Sequence, residues 1–415
     1  MVRLADLCAA EAVFALPAET HAAVEEIARA NLGTVVPALA LTVVQGGAAR
    51  LNAAWGWLDP ETRQRPAQPD ALFDLASVTK LFTTTAFLGL AAARRLDLDA
   101  PLAAIVPEFA ASGPRPIEGG QDPHTRQRLP APAGLVGQTA DPQRVTFRHL
   151  LTHTSGLAPW RDVFNAAGPP PPPPDQPDPV PREARWARAL AALCGYPFVG
   201  QPDGVTVRYS DLGLMLLGEA ASRLNDAPGA LEAAVRARVI GPLGLDTVTF
   251  NPVQAGWPRE RIAPTEDDSA WRGRRVWGEV HDENACGVGG VAGHAGLFAA
   301  ARDVAALGQA WLDDDPRLGI PLPLLRAATQ EHAETDGMRR GLGWLIKPRH
   351  EASAGDLLSA RAYGHTGFTG TSLWVDPDRR LVIACLTNNV YYGRLKPGLY
   401  EFRRALHTAI AAGLG

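Results

Sequence analysis

Hydrophobic positions recur along this chain in several rhythms. Residues 18–32 space apolar side chains at helical intervals with acids near the start, which predicts a helix. Ala38–Val44 and Arg50–Trp57 are apolar runs on either side of Gly46-Gly47, a β-hairpin signal. Residues 73–95 carry almost no charge until Lys80 and the closing Arg94-Arg95. They predict a long helix, apolar on every side and therefore buried. Residues 183–194 and 211–239 predict two more helices, the second closed by Gly241-Pro242. Gly341–Ile346, Thr371–Val375 and Leu381–Thr387 predict short strands, with a turn at Asp376-Pro377-Asp378. An amphipathic helix over Leu399–Ala412 ends the chain.

Strand signals thus sit at both ends and helices in the middle. That order predicts an α+β protein whose sheet is built from both termini, with a mostly helical region inserted. The expected division is residues 1–105 with 275–415 as the α/β part, and 106–274 as the helical part. Residues 110–145 and 158–182 are rich in Pro and Gly, and Pro169–Pro174 is an unbroken proline run. Such a run favours extended polyproline structure and reads as a stiff surface excursion.

Composition narrows the function. A chain of 415 residues exceeds one ordinary core, so one large domain or two intimate ones are expected. The net charge is −4 and no basic run stands out, which argues against a nucleic-acid partner. Cys8, Cys194, Cys286 and Cys385 are far apart, as for unpaired thiols in a reducing compartment. Asp6, Glu11 and Glu19 interrupt the first residues, so no secretory signal is recognised. No segment reads as a membrane span. The expectation is a cytoplasmic protein. The ten histidines form no HExxH, and His281-Asp282-Glu283-Asn284 is a poor ligand set. Neither a metal nor a cofactor is expected.

The chemistry starts at Ser77-Val78-Thr79-Lys80. Residues three apart share a helix face, so Lys80 reaches the Ser77 hydroxyl. A helix starting near Ser77 offers its backbone N–H to an oxyanion. A serine needs a neighbour to take its proton, and a desolvated lysine can do so. Lysine occurs only at 80, 347 and 396, so the pairing is scarce by composition. A bland reading remains, a capping serine and a solvated lysine, but Phe73, Leu75, Leu81 and Phe82 make so solvated a lysine improbable. Tyr209-Ser210-Asp211 precedes an apolar helix; its phenol suits proton relay to the leaving group, or plain packing. Gly364-His365-Thr366-Gly367-Phe368-Thr369-Gly370 enters a strand, where the glycines allow a ligand close to the backbone.

In this order the three motifs resemble the serine β-lactamase and penicillin-binding-protein superfamily, in its class C-like branch of β-lactamases, family VIII carboxylesterases and DD-peptidases. Leu150–Gly156 and Gly289–Leu297 look like the same family. The resemblance implies a β-lactamase/transpeptidase-like fold with the site between its two parts. It implies acylation of Ser77, with Lys80 and Tyr209 sharing the proton transfers. The oxyanion hole would be the N–H groups of Ser77 and Phe368, and Asp211, His365, Thr366 and Gly367 would meet the substrate. Two residues depart from the pattern. His365 stands where β-lactamases carry lysine, which removes a fixed charge near neutral pH. Asp211 stands where asparagine is usual; beside Lys80 it would keep the lysine charged and leave Tyr209 as the base. The expected activity is carboxylester hydrolysis on short acyl chains. D-Ala-D-Ala carboxypeptidase, D-aminopeptidase, weak β-lactamase and non-catalytic binding readings stand as alternatives. The partner is a small ester, amide or short peptide. No Gly-x-Ser-x-Gly elbow supports an α/β-hydrolase.

Overall fold

Strands that read as unbroken apolar runs do so because both of their faces are covered. The computed structural model describes residues 2–415 apart from 124, 227–229 and 396. Its elements used below are β1 (Val13–Phe14), α1 (Ala18–Asn31), β2 (Ala38–Gln45), β3 (Ala48–Gly56), α2 (Thr79–Ala93), α3 (Arg182–Gly195), α4 (Asp211–Leu224), α5 (Ala301–Leu312), β4 (Ala333–Thr335), β5 (Met338–Arg340), β6 (Leu345–Ile346), β7 (Tyr363–Thr366), β8 (Ser372–Asp376), β9 (Leu381–Thr387) and α6 (Leu399–Gly413). The strands make one antiparallel sheet in the order β1-β3-β2-β9-β8-β7-β6-β5-β4. Its centre joins the two ends of the chain: β9 pairs with β2 from Leu381↔Gln45 to Thr387↔Leu39.

Alternation then sorts side chains to two cores. Leu39, Leu41, Val43, Ile383 and Cys385 pack with Val24 of α1 and Leu406 of α6. Ala40, Val382 and Ala384 face the other way, into a larger core with Val304 and Leu307 of α5 and the apolar side chains of α2. The fold is that expected from the sequence: a β-lactamase-like antiparallel sheet flanked by helices.

Several boundaries differ. The segment 73–95 is not one helix. Phe73–Asp74 is a short strand paired with Leu297–Ala299, a 3₁₀ turn covers Ala76–Val78, and α2 begins at Thr79. Residues 76–93 do pass the length and hydropathy test for a membrane span, against the sequence expectation, yet 83% of that window is buried in the fold. Its apolar girth serves the core. The predicted helix 211–239 is two: α4 ends at Leu224, and helical turns resume from Leu231. Residues 227–229 of that expectation lie outside the described residues. The strand predicted over Gly341–Ile346 shrinks to β6, because Gly341–Trp344 form the tight turn leading out of β5. The proline run is a surface loop held by arginines: Arg185 donates to Pro169 O at 2.8 Å and Arg274 to Pro171 O at 3.1 Å.

Candidate active site

The segment leading to Ser77 is locked from both sides. The Asp74 carboxylate is buried and accepts the N–H groups of Ala76 at 2.8 Å and His281 at 2.6 Å. Burial pushes this carboxyl up, against those two donors. Ala76 is forced to φ +45°, a left-handed conformation that costs a non-glycine residue about 1 kcal/mol. Thr369 and Thr371 donate to the carbonyls of Asp74 and Leu75 at 2.7 and 2.9 Å. Among residues 71–80 only Ser77 is not fully buried. Ser77 is therefore offered to the outside by a rigid, otherwise inaccessible turn at the start of α2.

Two groups converge on its hydroxyl. Lys80 Nζ donates to Ser77 Oγ at 2.8 Å, and Tyr209 OH reaches the same oxygen at 2.8 Å. Lys80 is 1% exposed and pairs with Asp211 Oδ1 at 2.7 Å. It also donates to His294 O at 3.0 Å. Burial pulls the Lys80 ammonium down, but Asp211 and Tyr209 outweigh it and hold the group above its ordinary value. Burial raises the Tyr209 phenol further than neighbouring Lys80 lowers it, so the resting phenol is protonated. α4 supplies this geometry through its N-cap: Ser210 Oγ accepts the Gly213 N–H and donates to Ala158 O. That cap fixes Tyr209 and Asp211 on either side of Lys80.

His365 and Thr366 end β7, and Gly367–Gly370 turn into β8; the motif leaves one strand before entering the next. β7 lies inside the sheet, not at its edge. However, β6 stops opposite Gly364, so His365 and Thr366 have no ladder partner on that side and form a local edge. Gly367 is required here: a Cβ would stand 2.6 Å from Leu75 O and 2.1 Å from Thr371 Oγ1. Phe368 is 43% exposed, with its ring stacked on His281 at 5.6 Å. The structure thus brings together Ser77, Lys80, Tyr209, Asp211 and His365, with the Thr366–Phe368 turn beside the Leu75–Ser77 turn.

Sequence reasoning gave no role to three further residues. His153 stacks on Tyr209 with ring centres 4.7 Å apart and accepts the Ser210 N–H at Nδ1. His294, besides holding Lys80 through its carbonyl, bonds Asp282 at 2.8 Å. Desolvation raises the Asp282 carboxyl, yet His294 and the Ala285 N–H outweigh it and hold the group well below the usual range. Gly293 makes this approach possible, since a Cβ there would lie 2.0 Å from Leu214 O of α4. Both His153 and His294 sit in the segments that resembled the family. The third, Arg340, had no signal beyond a pair of arginines before a glycine. Its guanidinium carbon lies 5.2 Å from the Tyr209 ring centre. Trp344 is core, packed between Trp311 and Tyr363. Among the described residues no three His, Cys, Asp or Glu side chains form a metal set.

The Beta-lactamase family model matches residues 24–407. The chain belongs to that family. It is a serine hydrolase of the β-lactamase and penicillin-binding-protein superfamily. It is 28% identical over 375 residues to a putative D-alanyl-D-alanine carboxypeptidase of Escherichia coli K12, covering 85% of this chain and 78% of the relative. It is 29% identical over 403 residues to an N-acetylmuramyl-L-alanine amidase of Bacillus subtilis 168, covering 90% and 82%. In fold it is similar to EstCE1, a hydrolase with promiscuous acyltransferase activity, at TM-score 0.67 and 18% identity over 95% of this chain and 98% of that one.

Proposed function

We propose that this hydrolase forms an acyl-enzyme on Ser77 and acts on short-chain carboxylesters. The observation that carries the reading is the placement of Lys80 Nζ and Tyr209 OH each 2.8 Å from Ser77 Oγ. With Lys80 kept charged by Asp211, we assign the base to the Tyr209 phenolate, a minority form flanked by Lys80 and Arg340. The phenolate takes the Ser77 proton as Oγ attacks the acyl carbon, and the phenol returns it to the leaving alkoxide. The N–H groups of Ser77 and Phe368 serve as the oxyanion hole. Asp211, His365, Thr366 and Gly367 line the substrate, and water releases the acyl group. No step calls for a metal or cofactor. We also propose the division at residues 105 and 275, and a reducing, cytoplasmic setting for the four free cysteines.

Hydrolysis of p-nitrophenyl butyrate tests this. Wild type should turn over and carry an acyl mass on Ser77, and Ser77→Ala should do neither. Tyr209→Phe should lose roughly 10²–10⁴-fold in kcat; full activity there would refute the base assignment. Because the base must lose a proton held above 10.0, kcat/KM should climb with pH and reach no plateau below that value. A second reading, cleavage of peptides or amides bearing a carboxylate, is favoured by the names of the two relatives and by Arg340. Fast turnover of a chromogenic cephalosporin would support it. The absence of any acyl-Ser77 would leave a binding protein.

A further inference from the structure

The turn between β7 and β8 closes on its own. The Gly367 N–H donates to Thr371 O at 2.7 Å, and the Gly370 N–H to Gly367 O at 3.2 Å. Both carbonyls therefore have a backbone donor. Yet α6 sends a buried guanidinium to the same two oxygens. One terminal nitrogen of Arg403 donates to Thr371 O at 2.6 Å and to Gly367 O at 3.1 Å. Taking a guanidinium out of water costs several kcal/mol. Carbonyls that already have a donor offset little of that cost, so closing the turn does not account for the ion.

Its surroundings leave the charge unneutralised. Among the described residues Arg403 forms no ion pair, and the ionisable groups acting on it are Cys385 and His407. Burial pushes the Cys385 thiol up and the His407 imidazole down to about 4, so both are neutral at pH 7. Burial also lowers Arg403, to about 10, which keeps it charged there. Geometry says where that charge acts. The C=O and N–H of a trans peptide lie in one plane and point opposite ways. The Gly367 carbonyl and the Phe368 N–H belong to one peptide. Gly367 O points at Arg403, on the α6 side of the sheet, so the Phe368 N–H points to the other side, where α2 and Ser77 lie. Arg403 reaches the Ser77 turn as well: Thr371, whose carbonyl it holds, donates through Oγ1 to Leu75 O at 2.9 Å.

We propose that Arg403 is a positioning residue for the reaction: from behind the sheet it aims the Phe368 N–H into the oxyanion hole and lends that donor a positive charge. This rests on the acyl-enzyme reading above and adds a fixed cation to its oxyanion hole. A carbonyl that accepts a hydrogen bond from a cation polarises its amide, so the N–H at the other end of the peptide donates more strongly. Inside the fold that charge is little screened. The carbonyl of a bound ester is neutral and gains little from it. The tetrahedral intermediate carries a full negative charge on that oxygen and gains most, so the effect falls on kcat.

Arg403→Met tests this, since it removes the charge and leaves both carbonyls their backbone donors. On p-nitrophenyl butyrate, kcat per acylated Ser77 should fall about tenfold, short of the roughly 10²–10³-fold that removal of an oxyanion donor costs. KM should stay within about twofold of wild type. Butylboronic acid, which bonds Ser77 Oγ as a tetrahedral anion, should bind about tenfold more weakly. Arg403→Lys returns a cation and should recover part of both losses. The urea midpoint of Arg403→Met should not fall, because an apolar side chain replaces a buried ion. A residue that only held the turn would show the reverse, a lower midpoint with kcat per site and boronate affinity kept. That result, or a rise in KM at unchanged kcat, overturns the assignment. If Arg403→Met yields no folded protein, Arg403→Gln is judged by the same kcat and boronate readings. Boronate binding needs no turnover, so it decides where the ester is a poor substrate. A wild type with neither an acyl mass on Ser77 nor boronate binding defeats the acyl-enzyme reading, and this assignment with it. A Ser77 adduct that forms equally well without Arg403 defeats the assignment alone.

Discussion

Ser77 stands between two walls built on opposite rules. On the side of α4 the ions are paired: Lys80 lies against Asp211 and the His294 carbonyl, and His294 Nε2 is 2.8 Å from Asp282. On the side of β5 and β7, buried polar atoms are left open: Arg340 Nε and His365 Nε2. A paired wall has one low-energy arrangement and holds it, which suits groups that must meet the nucleophile at hydrogen-bond distance. An unpaired wall is destabilising until something fills it, which suits a surface that gains energy on binding. The difference is between a wall whose ions hold one another in place and a wall that leaves a buried cation without a counterion.

Substituting each wall's cation by methionine should therefore give opposite results for stability. Lys80→Met should cost roughly 10³-fold or more in ester hydrolysis, since it removes a donor from Ser77 Oγ. It should also destabilise, by about 3 kcal/mol or less, because Asp211 loses its counterion but keeps 17% of its side chain in solvent. Arg340→Met should stabilise by about 1–3 kcal/mol, since an apolar side chain replaces an unpaired charge. Burial depresses Arg340 to about 10, well below the ordinary guanidinium value, and a base with a lowered folded value subtracts stability at all pH below it. The gain should accordingly be full at pH 7 and fade only as pH rises above 10, where the folded guanidinium gives up its proton. Urea unfolding of both variants checks the pair of signs; a destabilised Arg340→Met would mean the two walls do not differ as described.

The two walls were not equally legible in the sequence. Ser77 and Lys80 announce themselves because helix spacing fixes that their side chains meet; Tyr209 and Asp211 were legible only through the resemblance of their motif to the family, since they reach Ser77 and Lys80 from a distant part of the chain. The hairpin of β2 and β3, and strand β9, were equally plain, since apolar runs bounded by turn residues carry their own punctuation. Arg340 was silent. Its meaning depends on what it lacks, and a missing partner cannot be read from neighbours in sequence. The start of α2 was also misplaced by several residues. Phe73 and Leu75 are as apolar as the helix that follows, and only the pairing of Phe73–Asp74 with Leu297–Ala299, more than 200 positions away, pulls them into a strand. Periodicity reports burial; it does not report which long-range partner causes it.

A finer test lies within the paired wall. Asp211→Asn keeps the shape of the side chain and restores an amide where the resembling family carries one. It also removes the anion that opposes burial at Lys80. Lys80 should then drop, by about one unit or more, towards values at which it gives up its proton. A neutral Lys80 can accept the Ser77 proton itself, so the rising limb of the kcat/KM profile should move to lower pH in the variant. The stability effect has its own sign. Lys80 is raised above 10.5 by the pair, so the pair's contribution is full below that pH and fades as pH climbs past it. Asp211→Asn should thus be less stable than wild type at pH 7, with the gap narrowing in strong base. If the limb stays in place while that gap appears, Asp211 is a structural counterion alone, and Tyr209 keeps the proton transfer whatever the charge on Lys80.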